Sequence, residues 1–310
     1  LWLHSTKQKF VSVNPGRERC PELSIIFRRF SVLASLPVKV IVAYSGGNRA
    51  LVKRGKRVNG KMHHLTPDTY IMSIAFGFIP VKAPADAEAY LAWLNRIHVI
   101  NAVMTDDFDA VVYGAPVVIR NPNWKDKQDA VQVVTAERLL TEKELTKGGL
   151  MLIAVLVGGD YHLAGLPECG VKIAVGLAQC GFGDSLLKVI HDTASKDLDS
   201  AVACWRQALQ EELRTNAHRR LPHRCPALAE SIPDSFPNLS IVRAYTHPLS
   251  PHSEQVEHNR DWSVLHLASM DVPSLASLCE RFFRWGTAES LPKKFAEYIW
   301  PGFCLRHLCQ

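Results

Sequence analysis

Five carboxylates fall in three clusters that follow or interrupt apolar segments: Asp86 and Glu88, Asp107 and Asp109, and Asp160. Carboxylates gathered at the ends of buried segments repel each other and lose hydration, so a fold keeps them together when a divalent cation neutralises them. Ligand sets made only of oxygen suit Mg²⁺ or Mn²⁺. Because a pair of such ions is common machinery for phosphodiester hydrolysis, the pattern predicts a hydrolytic metal site.

Positive charge is concentrated in the first fifth of the chain. Residues 1–61 contain thirteen Lys and Arg against two acids, a net charge of +11, whereas the whole chain has a net charge of +6. The excess peaks at Lys53, Arg54, Lys56 and Arg57. Such a patch is typical of a protein that binds a polyanion, and the alternatives are a solvated basic loop or a localisation signal.

A segment with Gly165, Pro167, Gly170 and Lys172 lies between two predicted helices. It predicts a helix–hairpin–helix, in which the glycines let backbone N–H groups approach a phosphate at a helix N-terminus. Lys172 adds a fixed positive charge, and such a site grips a nucleic-acid backbone without reading its sequence. An ordinary tight turn between two helices is the alternative.

The elements that position these groups alternate between helix and strand. Helical spacing of apolar residues and β-branched runs predict helices at 21–36, 66–77 and 85–94, and strands at 38–43, 79–81, 102–105, 111–113 and 117–119. Residues 150–156 read as a buried helix or strand, the segment after residue 163 as mainly helical, and 216–260 as an irregular connection. This order predicts an α/β fold with a mostly parallel, twisted sheet flanked by helices, and functional groups beyond the carboxyl ends of its strands.

The chain is predicted to divide into an α/β core (1–160), a helix–hairpin–helix region (161–220), and a linker with C-terminal helices (221–310). The eight cysteines contain no CxxC pair, which favours a reduced intracellular compartment over a zinc module. The longest apolar stretch, residues 150–157, is too short to cross a bilayer, so no membrane partner is expected.

Four motifs, in this order, resemble the XPG/flap-endonuclease family of structure-specific nucleases. They are residues 83–89, 105–109, 157–161 and the hairpin at 165–172. The resemblance covers the chain roughly from Cys20 to Thr215. The basic stretch at 53–57, and residues 279–286 followed by 300–302, look most like the fungal Holliday-junction resolvase branch, in which a chromodomain would lie beyond Gln310.

The resemblance implies a PIN-like core, two Mg²⁺ ions (Mn²⁺ being a plausible substitute), and incision of branched double-stranded DNA at 5′ flaps or Holliday junctions. It further implies a role in DNA repair and recombination in the nucleus. Two copies would pair on a four-way junction, because symmetric resolution requires two incisions. Residues would divide into metal ligands (Asp86, Glu88, Asp107, Asp109 and Asp160), groups at the scissile phosphate (Lys53 and Arg54) and other DNA contacts (Lys56, Arg57, Gly165, Gly170 and Lys172).

The chain departs from the family pattern at several positions. Asp86 stands where the family has Glu, Ser45 stands where a strand normally ends in Asp before Gly46, and Glu168 replaces the first Gly of the hairpin. The family's first strand, with its own Asp, has no counterpart before Leu1. Two expected metal ligands are thus missing.

Two alternatives follow from these departures. Beside the active structure-specific endonuclease stand a catalytically impaired relative that binds branched DNA without cutting it, and an incomplete sequence of an active enzyme. A nucleotide-binding α/β protein with solvated loop acids is a third alternative, and it lacks support because the sequence contains no GxGxxG or GxxxxGK[ST] phosphate loop.

Overall fold

The computed structural model describes residues 20–48, 52–53, 56–57, 62–120, 131–161, 164–249, 254–255, 261–262, 268–285 and 289–309. The strands in these ranges are β1 (Ile41–Tyr44), β2 (Val52–Lys53), β3 (Lys56–Arg57), β4 (Ile79–Lys82), β5 (Val103–Met104), β6 (Val117–Arg120) and β7 (Gln132–Thr135). The helices are α1 (Pro21–Ala34), α2 (Thr66–Ala75), α3 (Ala87–Arg96), α4 (Asp109–Val112), α5 (Ala136–Lys143), α6 (Lys147–Val157), α7 (Val171–Gln179), α8 (Phe182–Asp192), α9 (Leu198–Thr215), α10 (Pro226–Ser231), α11 (Leu239–Thr246), α12 (Val272–Phe283), α13 (Ser290–Tyr298) and α14 (Trp300–Leu308).

The strands pair in three small sheets. β1 lies parallel to β4 with Tyr44 opposite Lys82, and β5 lies parallel to β6 with Val103 opposite Val118. β7 runs antiparallel to β6, and β2 and β3 form a short antiparallel pair. The parallel pairs are joined through helices, as expected for strands that run in the same direction. The predicted α/β class is confirmed. Asp86 and Glu88 follow β4, Asp107 and Asp109 follow β5, and Asp160 follows a helix rather than a strand.

Helix α6 is the centre of the largest apolar core. Met151, Leu152 and Leu156 are completely buried in it, and helices α7, α8, α9 and α11 contribute apolar side chains to the same core. Burial on all sides explains why the sequence of α6 is apolar all round rather than amphipathic. The chain continues from this rigid helix directly to Asp160, so the position of that carboxylate is fixed by the core.

A second core joins the two ends of the described chain. Phe27 of α1 packs against Phe76 and also against Phe283 and Trp285, with ring centroids 5.1–5.4 Å apart. Full burial of such a side chain stabilises the fold by roughly 1.5–3 kcal/mol. Helices α12 and α13 therefore cover the outer helices α1 and α2.

The strand predicted at residues 111–113 is wrong. The structure has the helical turn α4 there, because the amide of Asp107 donates to the Thr105 hydroxyl and the amide of Asp109 donates to Asp107 Oδ1, both at 3.1 Å. These local hydrogen bonds turn the chain immediately before Val111. The β-branched residues then pack into the core from a helix, so tertiary packing overrides their strand preference.

Two further predictions of secondary structure need correction, and one helix lies outside the predictions. The 216–260 segment contains helices α10 and α11, whose buried residues include Leu228 and Tyr245. The sequence also predicts a helix over 262–283, and the structure has this helix begin at Val272, where the Asp271 side chain accepts a hydrogen bond from the Ser274 amide and caps it. Residues 263–267 lie outside the described part. Helix α14 was not anticipated.

No single helix of the described residues is both long and apolar enough to cross a membrane. The bent pair α7 and α8, with a 61° bend between them, has the required length and composition only when both helices are taken together.

Candidate active site

Asp86 lies where β4 leads into α3, beside the end of β1. It is the N-cap residue of α3 and is 7% exposed. The amide of Gly46 donates to the carbonyl oxygen of Ala85 at 2.7 Å, and the amide of Ala87 donates to Ser45 Oγ at 3.2 Å. Ser45 therefore accepts a hydrogen bond from the amide of the first residue of α3, which directly follows Asp86.

The close approach of these two segments depends on Gly46. A Cβ atom there would collide with the carbonyl oxygens of Ala83 and Pro84, so a larger residue would push β1 away from Asp86.

Glu88 lies in the first turn of α3 and is half-buried. The helix dipole favours a negative charge at this end of the helix.

Asp107 and Asp109 are held by the turn that follows β5. The hydrogen bond from the Asp109 amide to Asp107 Oδ1 ties the two acids to each other. Arg120 from β6 donates to the carbonyl oxygen of Asp106 at 2.8 Å and stacks over the ring of Phe108 at 5.2 Å. Asp109 borders an open cavity of about 350 Å³ that also contacts Tyr245, so solvent reaches this side of the turn.

Asp160 follows the end of α6 and is 8% exposed. The chain leaves the helix at Gly158, which has a φ of +99°, a conformation that favours glycine. A Cβ atom at Gly159 would collide with the hydroxyl group of Tyr245. Two glycines thus let the backbone turn sharply and place Asp160 close to Tyr245.

Three tyrosines, Tyr113, Tyr161 and Tyr245, form what we call the tyrosine cluster. The hydroxyl groups of Tyr113 and Tyr161 are 2.8 Å apart, and the rings of Tyr161 and Tyr245 meet edge to face at 4.8 Å. Tyr113 and Tyr245 are each 1% exposed. The cluster therefore joins α4, the segment after α6, and α11 into one buried polar unit.

The charges of three predicted acids act on this cluster. Burial raises the pKa of Tyr113 well above its usual range, Tyr161 raises it further, and so do the negative charges of Asp86 and Asp109. Burial likewise raises the pKa of Tyr245, with further contributions from Asp109 and Asp160. Asp109 thus acts on both tyrosines, Asp86 on Tyr113 alone and Asp160 on Tyr245 alone.

The donor chemistry fits hard divalent cations, because each of the five side chains offers only carboxylate oxygen. Among the described residues, no three of these carboxylates come within 4.8 Å of one another. In the described residues, three of these carboxylates are therefore not arranged to bind one ion directly.

The predicted hairpin lies between α6 and α7. Gly165 has a φ of +58°, and its Cα lies against the backbone of Leu156. The amide of Leu166 donates to the carbonyl oxygen of Leu156 at 2.7 Å. Gly170 is the N-cap residue of α7, and Lys172 is exposed in its first turn. Glu168 has a φ of +63°, the left-handed conformation that explains why a glycine is usual at this position.

The predicted basic stretch is described only in part. Backbone atoms place Lys53 in β2 and Lys56 and Arg57 in β3, whereas Arg54 lies outside the described residues. The roles predicted for these side chains stay predictions.

Sequence reasoning missed the tyrosine cluster. Tyr161 was noted only as the residue after Asp160, and Tyr113 only as part of a predicted strand. Nothing in the sequence relates Tyr245 to either of them, because contacts across 84 or more residues depend on the packing of α11 on α6.

Comparison with known proteins gives a match to the XPG I-region over residues 77–160, which includes all five predicted acids. The chain is 29% identical over 191 residues to mouse flap endonuclease GEN homolog 1, covering 56% of this chain and 21% of that protein. It is 30% identical over 141 residues to flap endonuclease 1 of Methanocaldococcus jannaschii, covering 44% of this chain and 41% of that protein. The chain thus spans well under half the length of these relatives.

Solved structures resemble the fold over nearly its whole length. The Holliday junction-resolving enzyme GEN1, in complex with product DNA and Mg²⁺, matches with a TM-score of 0.74 and 26% identity, covering 100% of this chain and 71% of that one. The catalytic core of Rad2 in complex with DNA matches with a TM-score of 0.67 and 20% identity, covering 96% of this chain and 90% of that one, which shows the fold alone.

These matches agree with the order of motifs found in the sequence. The PIN-like character of the fold is confirmed, whereas assignment to the fungal branch stays a prediction. The chain therefore contains an XPG I-region, which holds the five acids, and its sequence and fold resemble those of the XPG/flap-endonuclease family of structure-specific nucleases.

Proposed function

We propose that this chain is a structure-specific DNA endonuclease that hydrolyses phosphodiester bonds in branched DNA. Its ligands for two Mg²⁺ or Mn²⁺ ions would be Asp86, Glu88, Asp107, Asp109 and Asp160. The observation that carries the proposal is that acids from separate segments lie beside the tyrosine cluster: Asp109 lines a cavity together with Tyr245, and Asp160 follows the glycine that packs against the Tyr245 hydroxyl. The charge of Asp86 also raises the pKa of Tyr113. The relatives named above are flap endonucleases and a junction-resolving enzyme, which supports 5′ flaps and four-way junctions as substrates.

The residues of this chain would divide the work by position. The bound ions would supply a nucleophilic hydroxide and stabilise the charge that develops on the phosphate. Asp160 and Asp86, both buried, are held rigidly enough to fix the position of that charge. Ser45 would contribute a neutral hydroxyl, bound to the amide next to Asp86, where the family pattern has a carboxylate, so this position supplies no negative charge.

The hairpin would hold the DNA away from the point of incision. Lys172 and the backbone amides at the start of α7 would contact backbone phosphates, because a helix N-terminus attracts anions. Lys53, Arg54, Lys56 and Arg57 would bind phosphates near the cut. Such contacts do not read sequence, which agrees with recognition of a branched shape.

Nuclear repair and recombination is the setting we infer for this activity, with branched double-stranded DNA as the partner. On a four-way junction, two copies of the chain would act together, one on each strand that is cut.

The test compares cutting with binding on the same substrates. A labelled four-way junction and a 5′ flap are incubated with the chain and Mg²⁺, and DNA affinity is measured in Ca²⁺, which permits binding. Metal binding is measured separately as the rise in melting temperature with Mg²⁺ in the absence of DNA.

We expect cutting near the branch point with Mg²⁺, and a melting-temperature rise that Asp160→Asn removes. DNA binding without cutting, at any Mg²⁺ or Mn²⁺ concentration, would instead identify the chain as a relative that has lost catalysis. Failure to distinguish branched from linear DNA in either assay would overturn the proposal.

A further inference from the structure

A second group of metal-binding side chains lies away from the carboxylate site. Cys180, Glu212 and His218 each place one ligand atom within 4.8 Å of the other two. The Cys180 sulfur is 3.9 Å from Glu212 Oε1, and His218 Nδ1 is 2.7 Å from Glu212 Oε2. Sulfur, imidazole nitrogen and a carboxylate oxygen together form a ligand set suited to Zn²⁺ rather than Mg²⁺.

The three ligands come from three segments that the fold holds firmly. Cys180 is the C-cap residue of α7, Glu212 is a buried residue in the last turn of α9, and His218 lies in the loop after α9. The loop turns back because Asn216 has a φ of +51°, and its side chain both donates to and accepts from the backbone of Leu221. The loop and the contact between His218 Nδ1 and Glu212 Oε2 therefore bring His218 next to Glu212 before any ion binds.

The spacing of the ligand atoms is close to that of a tetrahedral ion. With bonds of about 2.0–2.3 Å, two ligands on one Zn²⁺ lie about 3.3–3.7 Å apart. The observed separations of 2.7 and 3.9 Å lie on either side of that range, so small rotations of the exposed His218 and the half-exposed Cys180 would reach it. Glu212 would stay in place, because it is only 4% exposed.

We propose that Cys180, Glu212 and His218 bind one Zn²⁺ ion, with water as the fourth ligand, and that this ion fastens the end of α7 to the end of α9. The site is separate from the hydrolytic one and does not depend on the proposed function. Helix α7 begins at the hairpin, roughly 13 Å along the helix axis from Cys180, so the ion would hold the far end of the helix that presents Lys172.

Binding would release a proton from the thiol. Burial raises the pKa of Cys180 to about 11, Glu212 raises it too, and Arg220 opposes them, so the free thiol is neutral at pH 7. On binding, the S–H bond breaks, the proton passes to solvent, and the thiolate sulfur bonds to the ion. Affinity is therefore expected to rise with pH between 6 and 8.

The test uses the whole chain, stripped of metal with a chelator and then kept in excess Mg²⁺ so that the carboxylates are occupied. Zn²⁺ is titrated against a coloured chelator, and Co²⁺ is added separately, because a thiolate bound to Co²⁺ gives a charge-transfer absorption band. The variants are Cys180→Ser and His218→Ala, with Cys204→Ser as a matched control, since Cys204 is an exposed cysteine of α9 outside the cluster. Circular dichroism without metal checks that each variant folds.

We expect one Zn²⁺ per chain, a cobalt–thiolate band, and affinity reduced at least about tenfold in both cluster variants but not in Cys204→Ser. Zinc should also raise the melting temperature of the original chain and of Cys204→Ser alone. The proposal is overturned if the chain binds no zinc in excess Mg²⁺, or if Cys180→Ser binds it as tightly as the original. Because His218 is exposed, His218→Ala remains informative even if Cys180→Ser fails to fold.

Discussion

The hydroxyl group of Tyr113 lies 2.8 Å from the hydroxyl group of Tyr161. Tyr113 directly follows the helical turn that begins at Asp109, and Tyr161 directly follows Asp160, so this one contact spans the two segments that carry those acids. The pair thereby fixes the separation of two carboxylates that come from distant parts of the sequence.

Replacement of Tyr161 by Phe should loosen that arrangement. The Tyr113 hydroxyl would lose its partner while still buried, so we expect the free energy of unfolding to fall by roughly 1–2 kcal/mol in urea denaturation. If the proposed function holds, turnover should fall while DNA affinity in Ca²⁺ is unchanged. Tyr70→Phe is the matched control, because Tyr70 is exposed on α2. Equal stability of the two variants would contradict the positioning role.

Replacement of Asp160 by Asn tests the carboxylate site most directly. We expect cutting of branched DNA to fall by about a hundredfold or more, because a charge that stabilises the reaction is lost. Stability without metal should stay the same or rise, since the change removes repulsion among buried acids. Asp106→Asn, an exposed acid beside the site, is the control that should keep its activity. Loss of cutting in both variants would mean that cutting depends on the total negative charge near the site and not on Asp160 itself.

Replacement of Ser45 by Asp should strengthen metal binding. The Asp side chain can still accept the hydrogen bond from the Ala87 amide, so helix α3 keeps its cap. An added negative charge next to Asp86 should lower the Mg²⁺ concentration needed for half-maximal cutting by roughly tenfold. Ser45→Asn, which also caps but adds no charge, separates the two effects. An unchanged Mg²⁺ requirement in Ser45→Asp would show that position 45 does not reach the ions.

Two replacements at Glu168 separate backbone strain from charge. Glu168→Gly should raise the free energy of unfolding by about 1 kcal/mol, because the left-handed conformation at φ +63° costs glycine little. Glu168→Gln keeps the strain and should leave stability unchanged. Both variants remove a negative charge from the hairpin, so both should bind DNA more tightly in fluorescence anisotropy at low salt. Tighter binding in only the Gly variant would assign the effect to the backbone instead.

Buried thiols should make the protein less stable in alkaline solution. Burial raises the pKa of Cys279 to about 12 and that of Cys169 to about 11. Between pH 9 and 11 the unfolded chain has lost these protons while the folded chain keeps them. The free energy of unfolding should therefore fall as pH rises, by up to about 1.4 kcal/mol per pH unit for each thiol. Below pH 8 these thiols should have no effect on the pH dependence.

Urea denaturation at pH 8 to 11 would measure this slope. Cys279→Ala should flatten it, even though the smaller side chain lowers stability at every pH. Cys204→Ala, at an exposed position, should leave the slope unchanged. A slope that does not respond to Cys279→Ala would assign the alkaline loss of stability to other groups.

Much of the fold could be predicted from local patterns. Helices α1, α2 and α3 have apolar residues at helical spacing, Pro or Asp at their starts, and polar outer faces, so their existence follows from the sequence. The turn at Asp107 could not be predicted in the same way. There, two short hydrogen bonds outweighed the strand preference of Val111 and Val112.

The candidate site likewise contains residues that the sequence predicts and residues that it does not. The acids could be named from their types and spacing, because each cluster lies at the end of a recognisable element. The tyrosine cluster and the Cys180 group could not, since each joins side chains from segments whose contact is decided by the packing of α6, α7, α9 and α11. Neither group forms a local motif that a reader of the sequence could detect.

Phe27 meets Phe283 and Trp285 in a single aromatic cluster, although more than 250 residues separate them in sequence. A protein shortened before Val272 would leave Phe27 and Phe76 in contact with water. An exposed hydrophobic patch of this kind promotes aggregation. The carboxy-terminal helices are thus inseparable from the first helix, and a change at either end of this contact would require a compensating change at the other.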